Sequence, residues 1–391
     1  MKKIIKFTVS LVVGLSIGLI IGILVGMMIT GKGAGDIIGV LRDIDAGSIM
    51  ESTAVSLAAF VTAATLQIVI HEGGHLVGGL LSGYRFVSFR IFNIALIRHK
   101  GRFALRRYSI AGTGGQCLLL PPDGNADDIP LMLYNGGGIA ANIIMVATAA
   151  ALLIFCDGIN AAIIVLLIFL ILLGIFFGLL NGIPMKVGGI TNDGYNMLLF
   201  RRSKLSRMLF VNQLRVNAMI QDGMRPKDIP EELFAISGVD DPTDVMQGSA
   251  IIIHATRLLD MGDTEGAYNM LAGVMKKKEK MVKLLANEAQ CELLFVSLML
   301  GRTEEARTLY TEDLKKYIMT YSKIMSSKQR ILHAVALFLD NDAAEARRIY
   351  DKLEANRSGY MMQGEVAMDL VLMKKAEECA EKRANGQCIA G

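Results

Sequence analysis

Apolar positions run almost unbroken through four stretches in the first half of the chain and return at helical spacing in the second half. Residues 7–29 carry no charge. At about 1.5 Å per residue they can cross a hydrocarbon layer of about 30 Å as a helix. The pattern predicts further spans over 52–83, 129–156 and 158–185. In the first of these, the uncharged run from Ser52 to Ile70 is interrupted by polar residues at 71–75 and resumes at Leu76. Only Asp157, with Gly158 behind it, separates the last two, a turn signal that makes them an antiparallel hairpin. Gly14, Gly18, Gly22 and Gly26 recur at every fourth position of the first span and give it a smooth face for close helix packing. A cleaved signal peptide competes for this segment because Lys2, Lys3 and Lys6 precede it, but the run is longer than a usual signal core and no A-x-A site follows.

Between the second and third spans the period changes. Arg85-Phe86-Val87-Ser88-Phe89-Arg90-Ile91 alternates, Phe103-Ala104-Leu105 follows, and Gly112-Thr113-Gly114-Gly115 leads into Cys117 to Leu120, so a small sheet is expected. A basic interfacial loop held by anionic lipid is the competing reading. After Arg207 the spacing is helical. Three blocks there resemble one another, Gly262 to Ala267, Gly301 to Ala306 and Asn341 to Ala346, with Ala positions 39 and then 40 residues apart. In each, Gly or Asn closes one helix and an Asp, Thr or Glu-rich start opens the next, as in stacked helical hairpins. The blocks look like tetratricopeptide-type repeats of longer period, with an ordinary helical bundle as the alternative. The expected fold is therefore mainly α: a polytopic four-span membrane helix bundle with a small β element over 1–205, then a soluble all-α helical-repeat domain over 206–391. His254 and His333 fall on apolar faces of that domain and read as packed core residues.

Composition agrees with two solvents. Fifty-two per cent of residues are apolar and only 20 % charged, which argues against a purely cytosolic enzyme, and the excess lies before Phe200. A net charge of +4 is too mild to imply a nucleic-acid partner. The basic residues instead cluster between the second and third spans (Arg85, Arg90, Arg98, Lys100) and after the fourth (Lys186, Arg201, Arg202), whereas the Asp157 turn has none. By the positive-inside rule the chain is a multi-pass protein of the cell membrane with the lipid bilayer around it and both termini cytoplasmic. The five Cys form no C-x-x-C pair, so neither a disulfide scaffold nor a Cys-based zinc finger is indicated.

The polar interruption at 71–75 reads H-E-x-x-H. Helical spacing puts His71 and His75 on one face, where two imidazoles can hold one Zn²⁺ while Glu72 acts on a water. An incidental His pair on a surface helix is the bland alternative. An ionisable Glu within a span costs about 2.5–3.5 kcal/mol on the mildest scale, which favours function. Two His leave a catalytic zinc one protein ligand short. A ligand at similar depth excludes Asp157 and leaves Asp193, past the break at Asn181-Gly182-Ile183-Pro184, although Asp193-Gly194 also reads as a plain turn after a helix stop.

These residues resemble the site-2 protease family of intramembrane zinc metalloproteases. Its members carry H-E-x-x-H in one span, G-x-x-x-N in the next and N-x-x-P leading to D-G in the last, matched here by His71 to His75, Gly138 to Asn142, and Asn181 with Pro184 leading to Asp193-Gly194. Pro184 and Asp193 stand further apart than in the commonest family pattern, and Ile139 replaces the Pro usual after the Gly of the second motif. The resemblance, which covers roughly the first half of the chain, implies His71, His75 and Asp193 as zinc ligands, Glu72 as catalytic base and Asn142 as a group that binds or polarises substrate, with a polar helix-packing role as the alternative for Asn142. It also implies that strands beside the site pair with an unwound substrate. The expected activity is hydrolysis of peptide bonds in a single-span membrane protein, with a cytoplasmic protein partner on the helical repeats. A membrane-anchored scaffold with an inactive or structural zinc site, and a zinc sensor or transporter, are the alternatives. Neither needs a general base beside its metal.

Overall fold

The computed structural model describes residues 46–99, 101–107, 113–187 and 190–385, so the span expected over 7–29 lies outside the described residues. The fold is mainly helical with a small antiparallel sheet. The described residues divide into two units, one within 63–156 and 167–385 and one within 46–62 and 157–166.

Helix α1 (Ala46–Leu81) runs without a break through the polar residues at 71–75 and ends at Gly83, whose φ of 81° is easy for Gly alone. Helix α2 (Leu131–Phe155) starts behind Pro130, and α3 (Ala161–Gly182) ends two residues before Pro184, where the missing N–H stops the ladder. Among the described residues, three helical segments are long and apolar enough to cross a membrane: Met50–Leu81, Ala126–Phe155 and Ala161–Gly182. Ile143, Ile144, Phe176 and Leu179 are among the large apolar side chains they leave exposed. Hydrocarbon is the solvent such surfaces suit. The third helix starts at Ala161 rather than at 158, because Gly158 takes a φ of 74° and the Asn160 carboxamide oxygen accepts from the Ile163 N–H.

Strands β1 (Arg85–Ile91), β2 (Ile94–His99), β3 (Arg102–Arg107) and β4 (Gly115–Leu120) form one sheet in the order β3-β2-β1-β4. Phe89 faces Leu96 on one side and Cys117 on the other, with an irregularity of register between Phe86 and Ser88. The sheet is half-buried. Ala95 and Ile97 pack with Met361 of the helical part, while Ile94, Phe103 and Leu105 are exposed. A two-stranded hairpin, β5 (Lys186–Val187) with β6 (Ile190–Thr191), follows α3.

Helices α4 (Asp193–Arg202) and α5 (Lys204–Gln221) then return to the sheet. Phe200, Val211 and Leu214 join Tyr84, Leu119, Leu131 and Tyr134 in one core, and Arg207 and Arg215 donate to the main-chain carbonyls of Ala126, Ile129, Pro122 and Gly124. These two basic residues thus tie α5 to the loop before α2.

The remaining helices pack as antiparallel pairs: α6 (Val245–Met261) with α7 (Thr264–Met275), α8 (Lys283–Met299) with α9 (Thr303–Leu309), and α11 (Ser326–Phe338) with α12 (Ala343–Ala355). Helix α10 (Glu312–Tyr321) lies between the second and third pairs in sequence, and α13 (Gln363–Ala384) packs on α11. The three similar blocks sit at the three turns. Gly262, Gly301 and Asn341 take positive φ of 96°, 75° and 52°, and Ala267, Ala306 and Ala346 are buried where the helices of each pair meet. Only a small side chain permits that approach.

Candidate metal centre

Gln67, His71 and His75 recur every fourth residue and form one stripe of α1, with Glu72 beside it. The stripe faces α2 at unusually short range. A Cβ on Gly74 would stand 2.2 Å from the Gly137 carbonyl oxygen, and one on Gly137 would stand 2.2 Å from the Gly74 oxygen, so the two backbones touch where neither carries a side chain. At the very next residue, a Cβ at Gly138 would meet both imidazoles, at 2.6 Å from His75 Nε2 and 2.8 Å from His71 Nε2. Gly138 is the space the two rings occupy.

Main-chain carbonyls, which can only accept, orient both rings. Leu170 oxygen takes Gln67 Nε2 (2.7 Å), so Gln67 Oε1 must face Asn142. Asn142 Nδ2 donates to that oxygen (2.5 Å) and to the Gln67 main-chain carbonyl (3.2 Å). Asn142 Oδ1 is thereby left for His71 Nδ1 (2.6 Å), which must donate. His75 Nδ1 donates to the Tyr134 carbonyl (2.8 Å). With the proton held at Nδ1 in each ring, both Nε2 lone pairs are free, and they converge at 3.1 Å.

Asp193 completes the convergence. Its Oδ2 lies 3.2 Å from His71 Nε2 and 3.4 Å from His75 Nε2, and that oxygen is buried with no hydrogen-bond donor. Three acceptors facing one point repel unless a cation lies between them. Ligand atoms about 2.0–2.1 Å from a tetrahedral zinc stand about 3.3 Å apart, close to the three separations in this cluster. His71, His75 and Asp193 can therefore hold a metal ion, and their nitrogen-rich donor set suits zinc.

Asp193 reaches α1 because Asn192 clamps the loop before it. The Asn192 Nδ2 donates to the carbonyls of Leu180 (2.7 Å) and Ile183 (2.6 Å), while Oδ1 accepts from Met185 N (3.1 Å) and caps α4 at Tyr195 N (2.9 Å). The residues between Pro184 and Asp193 fold back on themselves as β5 and β6, so the long separation costs no reach. Gly194 rests on the Gly182 carbonyl, where a Cβ would stand at 2.2 Å.

The cluster opens into a cavity of about 550 Å³ that Glu72 also lines. The Glu72 side chain lies over β4, and a Cβ at Gly115 would stand 2.6 Å from its Oε1. Gly114 to Leu118 form one wall, and among the described residues β4 pairs only with β1. Arg90 fixes the start of that strand through Phe92 oxygen, Thr113 Oγ1 and Gly115 oxygen. Phe210, Gln213 and Asn217 of α5 supply another wall.

The structure thus gathers His71, His75, Asp193 and Glu72 around one cavity. Asn142 is adjacent but fully buried, with both ends of its amide engaged, and it does not line the cavity. Asp157 is not part of the cluster. Gln67, Asn192 and the α5 wall have no counterpart in the expected site. Gln67 does carry a signal, as a polar residue one turn before His71 on the same stripe of an apolar helix. His254 donates to the Phe234 carbonyl, and His333 is buried beside Glu377 (3.3 Å), so both are packed among the helices. No protein-family model, curated protein or solved structure matches the chain.

Proposed function

We propose that the chain is an intramembrane zinc metalloprotease that hydrolyses peptide bonds of single-span membrane proteins. The observation that carries this reading is the convergence of two oriented Nε2 atoms and the Asp193 carboxylate in a cavity that Glu72 shares. Zinc at that point would supply Lewis-acid polarisation of the scissile carbonyl and a water acidic enough to attack near neutral pH. Glu72 takes the proton of the attacking water and returns it to the leaving amine. Asn142 holds the His71 ring instead of reaching substrate, since its amide has no free donor. The unpaired side of β4 offers main-chain groups on which an unwound substrate lies extended, with its peptide bonds exposed beside Glu72. A structural or transport site gains nothing from a carboxylate placed in this way, which separates the protease from a scaffold or a zinc carrier.

In this reading residues 7–29 form a fourth span, both termini are cytoplasmic, and the helices beyond residue 206 are stacked repeats that bind a cytoplasmic partner. Supporting the last point are the three turns with equivalent positive-φ residues and buried Ala. The chemistry is tested with Glu72→Gln in purified protein reconstituted with single-span substrates. Zinc content is expected to stay at the wild-type level and cleavage to disappear, because the amide cannot accept the proton. Full cleavage by this variant would overturn the mechanism.

A further inference from the structure

Next to the metal cavity lies a second one of about 220 Å³, lined by α6, α8, α11 and α13, and Gln213 of α5 stands in the wall of both. Its floor is apolar, with Ile252, Leu285 and Met368, and its charged lining is Glu288, Glu292, Glu365 and Arg330. Most of these charges are matched. Lys328 pairs with Glu288 (2.8 Å), and Tyr317 donates to the other Glu288 oxygen (2.5 Å). Arg330 bridges Glu292 (2.7 Å) and Asp369 (2.7 Å) from a fully buried position. Three valences stay open. Glu365 has no cation in ion-pair range among the described residues, so four carboxylates face two cations. Arg330, 0 % exposed, has an Nη1 with no acceptor, and Asp369, also 0 % exposed, has an Oδ2 with no donor.

A network that serves packing alone closes its valences, because each open one forfeits hydration with no return. Two of the openings here are complementary to one chemistry: a cation for Glu365 and a carbonyl oxygen for Arg330. A basic residue in an extended peptide carries both. The volume, about seven waters at roughly 30 Å³ each, suits one long side chain on an apolar floor. Burial, with Asp369, Glu292 and Glu288 nearby, pushes the Glu365 carboxyl up to about 8, so it waits largely neutral at pH 7 and ionises against an incoming cation.

We propose that this cavity takes a Lys or Arg side chain from the cytoplasmic flank of the membrane substrate, which makes the helical domain a second recognition site beside the metal cavity. The inference rests on the protease reading. Single-span proteins carry Lys and Arg on the cytoplasmic side of the span, so any such substrate brings basic residues toward a helical domain on that side. The shared wall at Gln213 places the two cavities back to back, and a substrate held at both points has its register set against Glu72.

The test uses the full chain carrying Glu72→Gln, in detergent, with a short fluorescent peptide bearing a Lys-Arg cluster, and reads anisotropy. The peptide is expected to bind, and the same peptide with Gln in place of each basic residue is expected not to. Glu365→Gln should weaken binding at least about tenfold, as should Ser249→Leu, which fills the cavity from α6 without touching a charge. A thermal melt and zinc content on each variant separate lost binding from lost fold, and Glu365→Ala serves where Glu365→Gln does not fold. Equal binding of both peptides, or wild-type binding by folded Glu365 and Ser249 variants, overturns the proposal. Because no cleavage is read, failure here leaves the protease reading intact. An inactive wild-type enzyme that still binds the basic peptide would strike the protease reading alone.

Discussion

At the scale of single residues, the candidate metal centre depends on side chains outside the His71, His75 and Asp193 cluster. His71 presents Nε2 only because Asn142 accepts from Nδ1, and Asn142 can accept only because Gln67 takes its amide protons. The direction of the whole chain is set at its far end by the Leu170 carbonyl. Loss of an outer partner of this kind costs about 10- to 100-fold in metal affinity. Asn142→Ala is therefore expected to weaken zinc binding by that factor, measured by competition with a chromophoric chelator, and Gln67→Leu should act in the same direction through the same ring. Wild-type affinity in Asn142→Ala would mean that the Nδ1 contact does not orient His71. The His pair and Glu72 were legible because their spacing is local, four residues on one helix. Gln67 was not singled out, because its role depends on a carbonyl about 100 residues away on α3. The role expected for Asn142 came from resemblance, and the packing around it points elsewhere.

At the scale of elements, the longest reach in the site is made by a loop. Asn192 satisfies two carbonyls left open at the end of α3 and also caps α4, so one side chain decides where Asp193 lands. Asn192→Ala is expected to lower zinc occupancy almost as far as Asp193→Ala, although Ala at 192 removes no ligand. Metal analysis of the two variants side by side checks this, and full occupancy in Asn192→Ala would show that the loop holds its shape unaided. The D-G step was visible in the sequence. The Asn192 clamp and the two-residue hairpin that hold its inward bend were not, because periodicity does not report them. Strand β2 escaped for a related reason: Ile-Ala-Leu-Ile reads as continuous apolar chain, and only pairing with β1 and β3 makes it a strand. In the helical part, Arg330 joins α8 to α13 through two carboxylates. Arg330→Leu leaves both buried and unpaired and should cost about 3–5 kcal/mol in urea unfolding. Arg330→Lys should recover only part of this, since an ammonium cannot present two separate N–H edges to two acids. Full recovery by Lys would mean that charge, without geometry, holds the joint.

At the scale of the whole molecule, the position of the metal centre along its span is tied to orientation. His71 lies ten residues before the end of α1 at Leu81, about 15 Å of helix, and the basic sheet follows directly after that end. Under the proposed function, with Lys and Arg on the cytoplasmic side, the peptide bond would be cut near the cytoplasmic face and the helices that wall the cavity would stand on that side as well. Two insertion points are suited to a direct check. Gly101 is an exposed residue in the turn between β2 and β3, and Asp157 lies exposed between α2 and α3, positions where an inserted reporter disturbs little packing. A reporter at Gly101 and one at the C-terminus should be active on the cytoplasmic side, and one at Asp157 on the external side. External activity at Gly101 would carry the sheet, α5 and the helical domain outside with it. The acidic cavity would then face the flank of a substrate that is poor in Lys and Arg, and the proposed recognition site and topology would fall together, while the convergence of His71, His75 and Asp193 would stand unchanged.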